Sequence, residues 1–149
     1  MKKIKRVLDS YAVLAFLNGE TGCDRVRDLL AEARQTGVHL LMNEINVGET
    51  YYILSRKRGP EKADFFVETI LSGLPIRRAP NDFEQVIAAA RLKAEYPLSY
   101  ADCFVVATAV REGAIVLTGD PEFKSVESVV PIEWLGDQPV RTARRRPRV

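Results

Sequence analysis

Short apolar runs, each followed closely by a helix-starting residue, constrain the fold of this chain more than any other feature. IKRVL ends at Asp9, VHLLM runs into Asn43, LPIRRA precedes Asn81, and AIVLT leads to Asp120. Short runs rich in β-branched residues read as strands, AIVLT most clearly. Asp and Asn start helices because a side-chain oxygen takes up a free backbone N–H. A fifth stretch, VVPIEW, reads as a final strand, placed at an edge by Pro131. Strands alternating with helices predict an α/β domain: a mostly parallel central sheet flanked by helices on both faces.

The helical segments fit this alternation. YAVLAFLNGE has helical spacing and stops at Asn18-Gly19. Residues 22–36 form an amphipathic pattern with Val26, Leu29, Leu30 and Ala33 on one stripe, closed by Gly37. Asn43 caps a helix reaching Arg58 and ended by Gly59-Pro60, and residues 61–72 form another. LPIRRA is an edge strand at best, because of its arginine pair. Asn81 caps DFEQVIAAARLKAEY, and a helix over residues 99–112 ends at Gly113.

With 149 residues the chain suits one domain, and no apolar run approaches the ~20 residues of a membrane span. MKKIKRVLDS starts basic but lacks the apolar stretch of a signal peptide, so the expected compartment is cytoplasmic. Cys23 and Cys103 stand alone and His39 is the single histidine, which argues against zinc and against a disulfide framework. Both cysteines read as small buried apolar residues. Charge divides the chain: residues 136–149 hold five arginines and one aspartate, a net +4, and residues 1–135 carry a net −2. The expected organisation is one folded domain over 1–135 and a basic, flexible tail over 136–149.

Four acids stand in unusual places. Asp9 and Asp120 follow strands, Asp102 shares a helical stripe with Val105, Val106 and Ala109, and Glu49 lies mid-helix. Each has an ordinary explanation or nearly so. Asp9 and Asp120 are good N-caps, the latter with proline behind it. Ser99 and Asp102 have capping-box spacing. Glu49 caps nothing, and its neighbours Ile45, Tyr52 and Ile53 place it on the helix's expected inward stripe. Glycine at 48 leaves room for close approach of a backbone or ligand. Glu44, in the first turn, reads as a helix-dipole partner. Open α/β sheets build their sites at the carboxyl ends of strands. Buried carboxylates without basic partners are costly, and together the four fit one divalent-metal cluster.

VLDSYAVLAFL, the helix with Glu49, SYADCFVVATA and VLTGDPEF together resemble the PIN domain, and more narrowly the VapC toxins of VapBC toxin–antitoxin modules. The resemblance covers about residues 4–132. It implies a PIN-like fold and an endoribonuclease dependent on Mg²⁺, with Mn²⁺ as the alternative. It assigns Asp9, Glu49, Asp102 and Asp120 as catalytic acids. Asp9, Asp102 and Asp120 would ligate metal, and Glu49 would hold or deprotonate the attacking water. Ser10 and Thr118 would contact substrate or support the acids, while Tyr11 stands where relatives carry a small polar residue. Implied partners are RNA, a second copy of the chain and a cognate antitoxin, with no membrane. A haloacid-dehalogenase-type phosphatase is the rival enzyme, but its second aspartate is replaced by Tyr11. A receiver domain fails at Asn43. A catalytically silent PIN-fold module binding RNA or protein is the non-enzymatic alternative, and loss of an acid would be its mark.

Overall fold

The computed structural model describes residues 3–136. The basic segment expected to form a tail falls, apart from Gly136, outside the described residues. Five strands form one sheet: β1 (Arg6–Leu8), β2 (Leu40–Asn43), β3 (Ile76–Ala79), β4 (Ile115–Thr118) and β5 (Ile132–Trp134). Their order is β3-β2-β1-β4-β5, and every neighbouring pair is parallel. The arginine-bearing β3 and the proline-led β5 lie at the two edges, as their sequences require.

Alternation along the strands separates two cores. Val7, Leu41 and Val116 point to one face, covered by α6 (Phe83–Glu95) and α7 (Tyr100–Glu112). Leu8, Leu40, Met42 and Leu117 point to the other. That face is covered by α1 (Ser10–Asn18), α2 (Cys23–Thr36), α3 (Glu44–Arg58) and the helical run α4 (Pro60–Phe65) to α5 (Leu71–Gly73). The stripe on α2 is as expected: Val26, Leu29, Leu30 and Ala33 are its buried residues. Glu133 on β5 receives Arg6 from β1 at 2.8 Å and Arg25 from α2 at 2.6 Å, which fastens the edge strand to the domain.

Two local expectations are corrected. The helix over 61–72 contains a wider π turn at Phe66–Ile70. Phe66 and Leu71 are both buried but five residues apart. An α-helix would turn one of them outward, and one π turn brings both onto the core. The cap of α6 is Asp82, whose carboxylate accepts from the Gln85 N–H at 2.8 Å. Asn81 instead exchanges amide hydrogen bonds with Asn43, at 2.8 and 2.9 Å, joining the ends of β2 and β3. Of the cysteines, Cys103 is buried and Cys23 half-buried; both are free. Among the described residues no helix is long and apolar enough to cross a membrane.

Candidate metal centre

The chain runs outward from β1 in both directions, to β2 and β3 on one side and β4 and β5 on the other. The crevice between the carboxyl ends of β1 and β4 is therefore the switch point of the sheet, where open α/β folds place their ligands. Asp9 leaves β1 directly into that crevice. Its Oδ1 caps α1 by accepting from the Ala12 N–H at 2.8 Å. Its Oδ2 accepts a short hydrogen bond from the hydroxyl of Thr118, the last residue of β4. The same Thr118 oxygen accepts from the Asp120 N–H at 3.0 Å. One threonine thus links the two strand ends and fixes the acids that follow them.

Asp120 caps the 3₁₀ turn Pro121–Val126, with Oδ1 accepting from the Glu122 N–H at 3.0 Å. Asp102 enters from α7, whose N-cap Ser99 accepts from the Asp102 N–H at 3.2 Å. One carboxylate oxygen each from buried Asp102, half-buried Asp120 and exposed Glu122 lie within 4.8 Å of one another. Asp9 and Glu49 flank this trio: the fields of Asp102 and Asp120 act on Asp9, and that of Glu49 on Asp102. The capping roles of Asp9 and Asp120 are both present, and among the described residues the close trio contains Asp102 and Asp120 but neither Asp9 nor Glu49. In each the cap occupies Oδ1, and at Asp9 the Thr118 hydroxyl bonds Oδ2 as well.

Burial makes the crevice electrostatically costly. Desolvation raises the Asp9 carboxyl to about 8, with Thr118 and the Ala12 N–H opposing and the Asp102 and Asp120 charges adding to it. Desolvation likewise raises Asp102 to about 7, reinforced by Glu49 and Asp120 and opposed by Ser99. Among the described residues no lysine, arginine or histidine forms an ion pair with any of the five acids. Closely spaced oxygen ligands with no organic cation among them are a donor set suited to a hard divalent ion.

The PIN domain family model matches residues 6–129. The chain belongs to the PIN domain family. Among solved structures, the PIN fold is shared with VapBC2 from Rickettsia felis bound to a fragment of its promoter DNA. That match has a TM-score of 0.70 at 15% identity and covers 89% of this chain and 99% of the other. DNA-bound VapBC from Salmonella typhimurium matches with a TM-score of 0.69 at 20% identity, covering 88% and 98%. VapC20 of Mycobacterium tuberculosis, a toxin that cleaves the sarcin–ricin loop, matches with a TM-score of 0.62 at 16% identity, covering 81% and 94%. No curated protein matches significantly in sequence.

Within this PIN domain, the expected inward stripe of α3 is corrected. Ile45 and Tyr52 are largely exposed, the latter under the Arg56 guanidinium at 5.1 Å. The buried residues of α3 are Asn46, Thr50 and Leu54. Polar residues can face inward here because they find partners: Thr50 donates to the Asn46 carbonyl at 2.8 Å, and Asn46 reaches α7. Glu49 sits half-buried at the border of the two faces. Among the described residues, no neighbouring atom lies within 4 Å of where a Cβ on Gly48 would stand. Close approach is needed instead at Gly119, where a Cβ would lie 2.3 Å from Tyr11 Cε1. The Tyr11 ring therefore lies on the backbone between Thr118 and Asp120, at the rim of the crevice. Ser10 is buried at the first position of α1, and His39 is exposed. Glu122 was missed in the sequence. Its signal is the spacing Asp120-Pro121-Glu122, where proline starts a tight turn that brings both acids off one end of it.

Proposed function

We propose that this PIN domain is a divalent-metal-dependent endoribonuclease, the toxin of a toxin–antitoxin pair. The observation that carries the reading is the convergence of Asp102, Asp120 and Glu122, with buried Asp9 beside them and no basic residue paired to any. In this reading Asp102, Asp120 and Glu122 hold the cation, Mg²⁺ first and Mn²⁺ as the alternative, with Asp9 completing the site. A bound divalent cation supplies polarisation of the phosphodiester and activation of the attacking water near neutral pH. Thr118 keeps Asp9 oriented through its hydrogen bond and orders the Asp120 backbone. Glu49 would hold a water of the cation's hydration shell and accept the proton that the attacking water loses. Ser10 takes a supporting or substrate-contacting place next to Asp9. In-line attack expels the 3′ oxygen and leaves 5′-phosphate and 3′-hydroxyl ends.

The structural likeness to VapBC complexes supports a cognate antitoxin as partner. An acidic crevice is a suitable receptor for an antitoxin arginine, whose guanidinium pairs with two carboxylate oxygens at once. A second copy of the chain is the other proposed partner. The reading keeps the chain in the cytoplasm with its RNA. The test is cleavage of total RNA by the purified chain with Mg²⁺ or Mn²⁺ and with EDTA. Activity is expected only with metal, and Asp102→Asn is expected to abolish it with the fold preserved by circular dichroism. Undiminished cleavage by Asp102→Asn would refute the assignment of the site, and no metal-dependent cleavage by the parent would favour the silent module.

A further inference from the structure

Asn46 is wholly buried on α3, and its side-chain oxygen is the one buried side-chain polar atom without a hydrogen-bond partner among the described residues. Its amide nitrogen does two things. It donates to the Ala101 carbonyl on α7 at 3.0 Å, and it reaches Glu49 Oε1 at 3.5 Å, the outer limit of a hydrogen bond. The amide orientation is not interchangeable. Turning it over would place the oxygen against a carboxylate and a carbonyl, both acceptors. An orphaned buried acceptor is destabilising, and leucine, of similar size, would fill the space without one. The residue's contribution therefore lies with its N–H groups and not with stability.

Those groups join two acid-bearing helices at the crevice. Ala101 immediately precedes Asp102, and Glu49 follows Asn46 by one helical turn, on the same side of α3. Ala101 also lies in the first turn of α7, where Ser99 holds the Asp102 N–H. Resting on the nuclease reading above, we propose that Asn46 is the positioning residue of the site. It fixes Glu49 against the Ala101–Asp102 turn and so sets the spacing between the acid on α3 and the acid on α7.

The test is a double-mutant cycle on metal binding by the full chain. Mn²⁺ affinity is measured by the loss of the free-ion electron paramagnetic resonance signal for the parent, Asn46→Leu, Glu49→Gln and the double variant. Melting of the metal-free proteins is recorded alongside. Residues that orient ligands typically change metal affinity ~10–100-fold. Asn46→Leu is expected to weaken Mn²⁺ binding by about tenfold or more, while melting no lower than the parent without metal. The double variant is expected to lose no more than the larger single loss, because both changes act through Glu49. A merely structural asparagine would lower melting and leave the cycle additive. Parent-like Mn²⁺ binding by Asn46→Leu, or losses that multiply, would overturn the positioning role alone. Parent-like binding by Glu49→Gln would overturn the place of Glu49 in the metal site, and the positioning role with it. If Asn46→Leu does not fold, Asn46→Ala completes the same cycle with the same expected loss of Mn²⁺ affinity, its melting lowered by the cavity that alanine leaves.

Discussion

Asp9 is asked to be a cap and a buried anion at once, and only the first comes easily. Its carboxyl lies at about 8 against an ordinary 3.8, chiefly through desolvation. Between those two values the folded metal-free chain holds a proton that the unfolded chain has released. Stability therefore falls as pH rises through this window and reaches its floor above about 8. Asp102 adds a fall in the same direction, complete at about 7. Asparagine caps a helix as well as aspartate does, so Asp9→Asn keeps the bond to the Ala12 N–H and removes the charge. In EDTA, Asp9→Asn should match the parent at acid pH and be more stable by several kcal/mol at the alkaline end, as read by urea unfolding at both. Mg²⁺ should narrow the gap, because the parent, with all its acids, gains more stability by binding it. A parent that gains stability with pH in EDTA would contradict the assignment. The special character of these acids was legible in the sequence because Asp9 and Asp120 each follow an apolar run and Asp102 interrupts an apolar stripe. Glu122 was not: an acid after Asp-Pro reads as solvated, and only the tight turn brings it back to Asp102.

At the scale of elements, strands and caps were the readable part, since they depend on neighbours in sequence. Asp9, Asn43, Ser99 and Gly113 end or start their helices as local chemistry requires. Faces were harder. The apolar residues of α3 are spread around its circumference, so periodicity did not decide which side meets α7. A polar column of Asn46 and Thr50 faces inward, with the Asn46 amide nitrogen bonded across to α7 and the Thr50 hydroxyl bonded along the helix. The same holds for Asn81, drawn from capping by its pairing with Asn43, and for the π turn, which depends on where Phe66 and Leu71 find the core. All three are tertiary decisions. For α7, whose cap is local, the expected consequence is plain. Ser99→Ala removes the acceptor for the Asp102 N–H and should cost about 1 kcal/mol. The urea midpoint should fall with the slope unchanged. Mg²⁺ affinity should fall as well, because the first turn of α7 carries Asp102. A variant with the parent's midpoint and affinity would show that the cap does not hold that turn.

For the molecule as a whole, the nuclease reading requires an acidic crevice and a polyanionic substrate to be reconciled. The five site acids lie in a region whose net charge, over residues 1–135, is −2. The surplus of positive charge lies elsewhere, in Arg141, Arg144, Arg145, Arg146 and Arg148. A bound cation offsets repulsion at the scissile phosphate but not along the strand beyond it. The arginine-rich segment is the part of the chain with enough charge to do that. Each phosphate it neutralises adds about 0.7 to the slope of log affinity against log salt for a single strand. Truncation after Gly136 keeps Leu135 in place against Gly22 and removes the five arginines. RNA binding by the truncated chain should weaken at low salt, and its salt slope should flatten by up to about 3.5 if all five engage. Cleavage at saturating RNA should be unchanged, because none of the site acids is touched. Equal affinity and equal slope for the two chains, measured by fluorescence anisotropy on a labelled single strand, would rule out an RNA contact. A loss confined to antitoxin binding would assign the arginines to the acidic face of that partner, since guanidinium groups pair with carboxylates as readily as with phosphates.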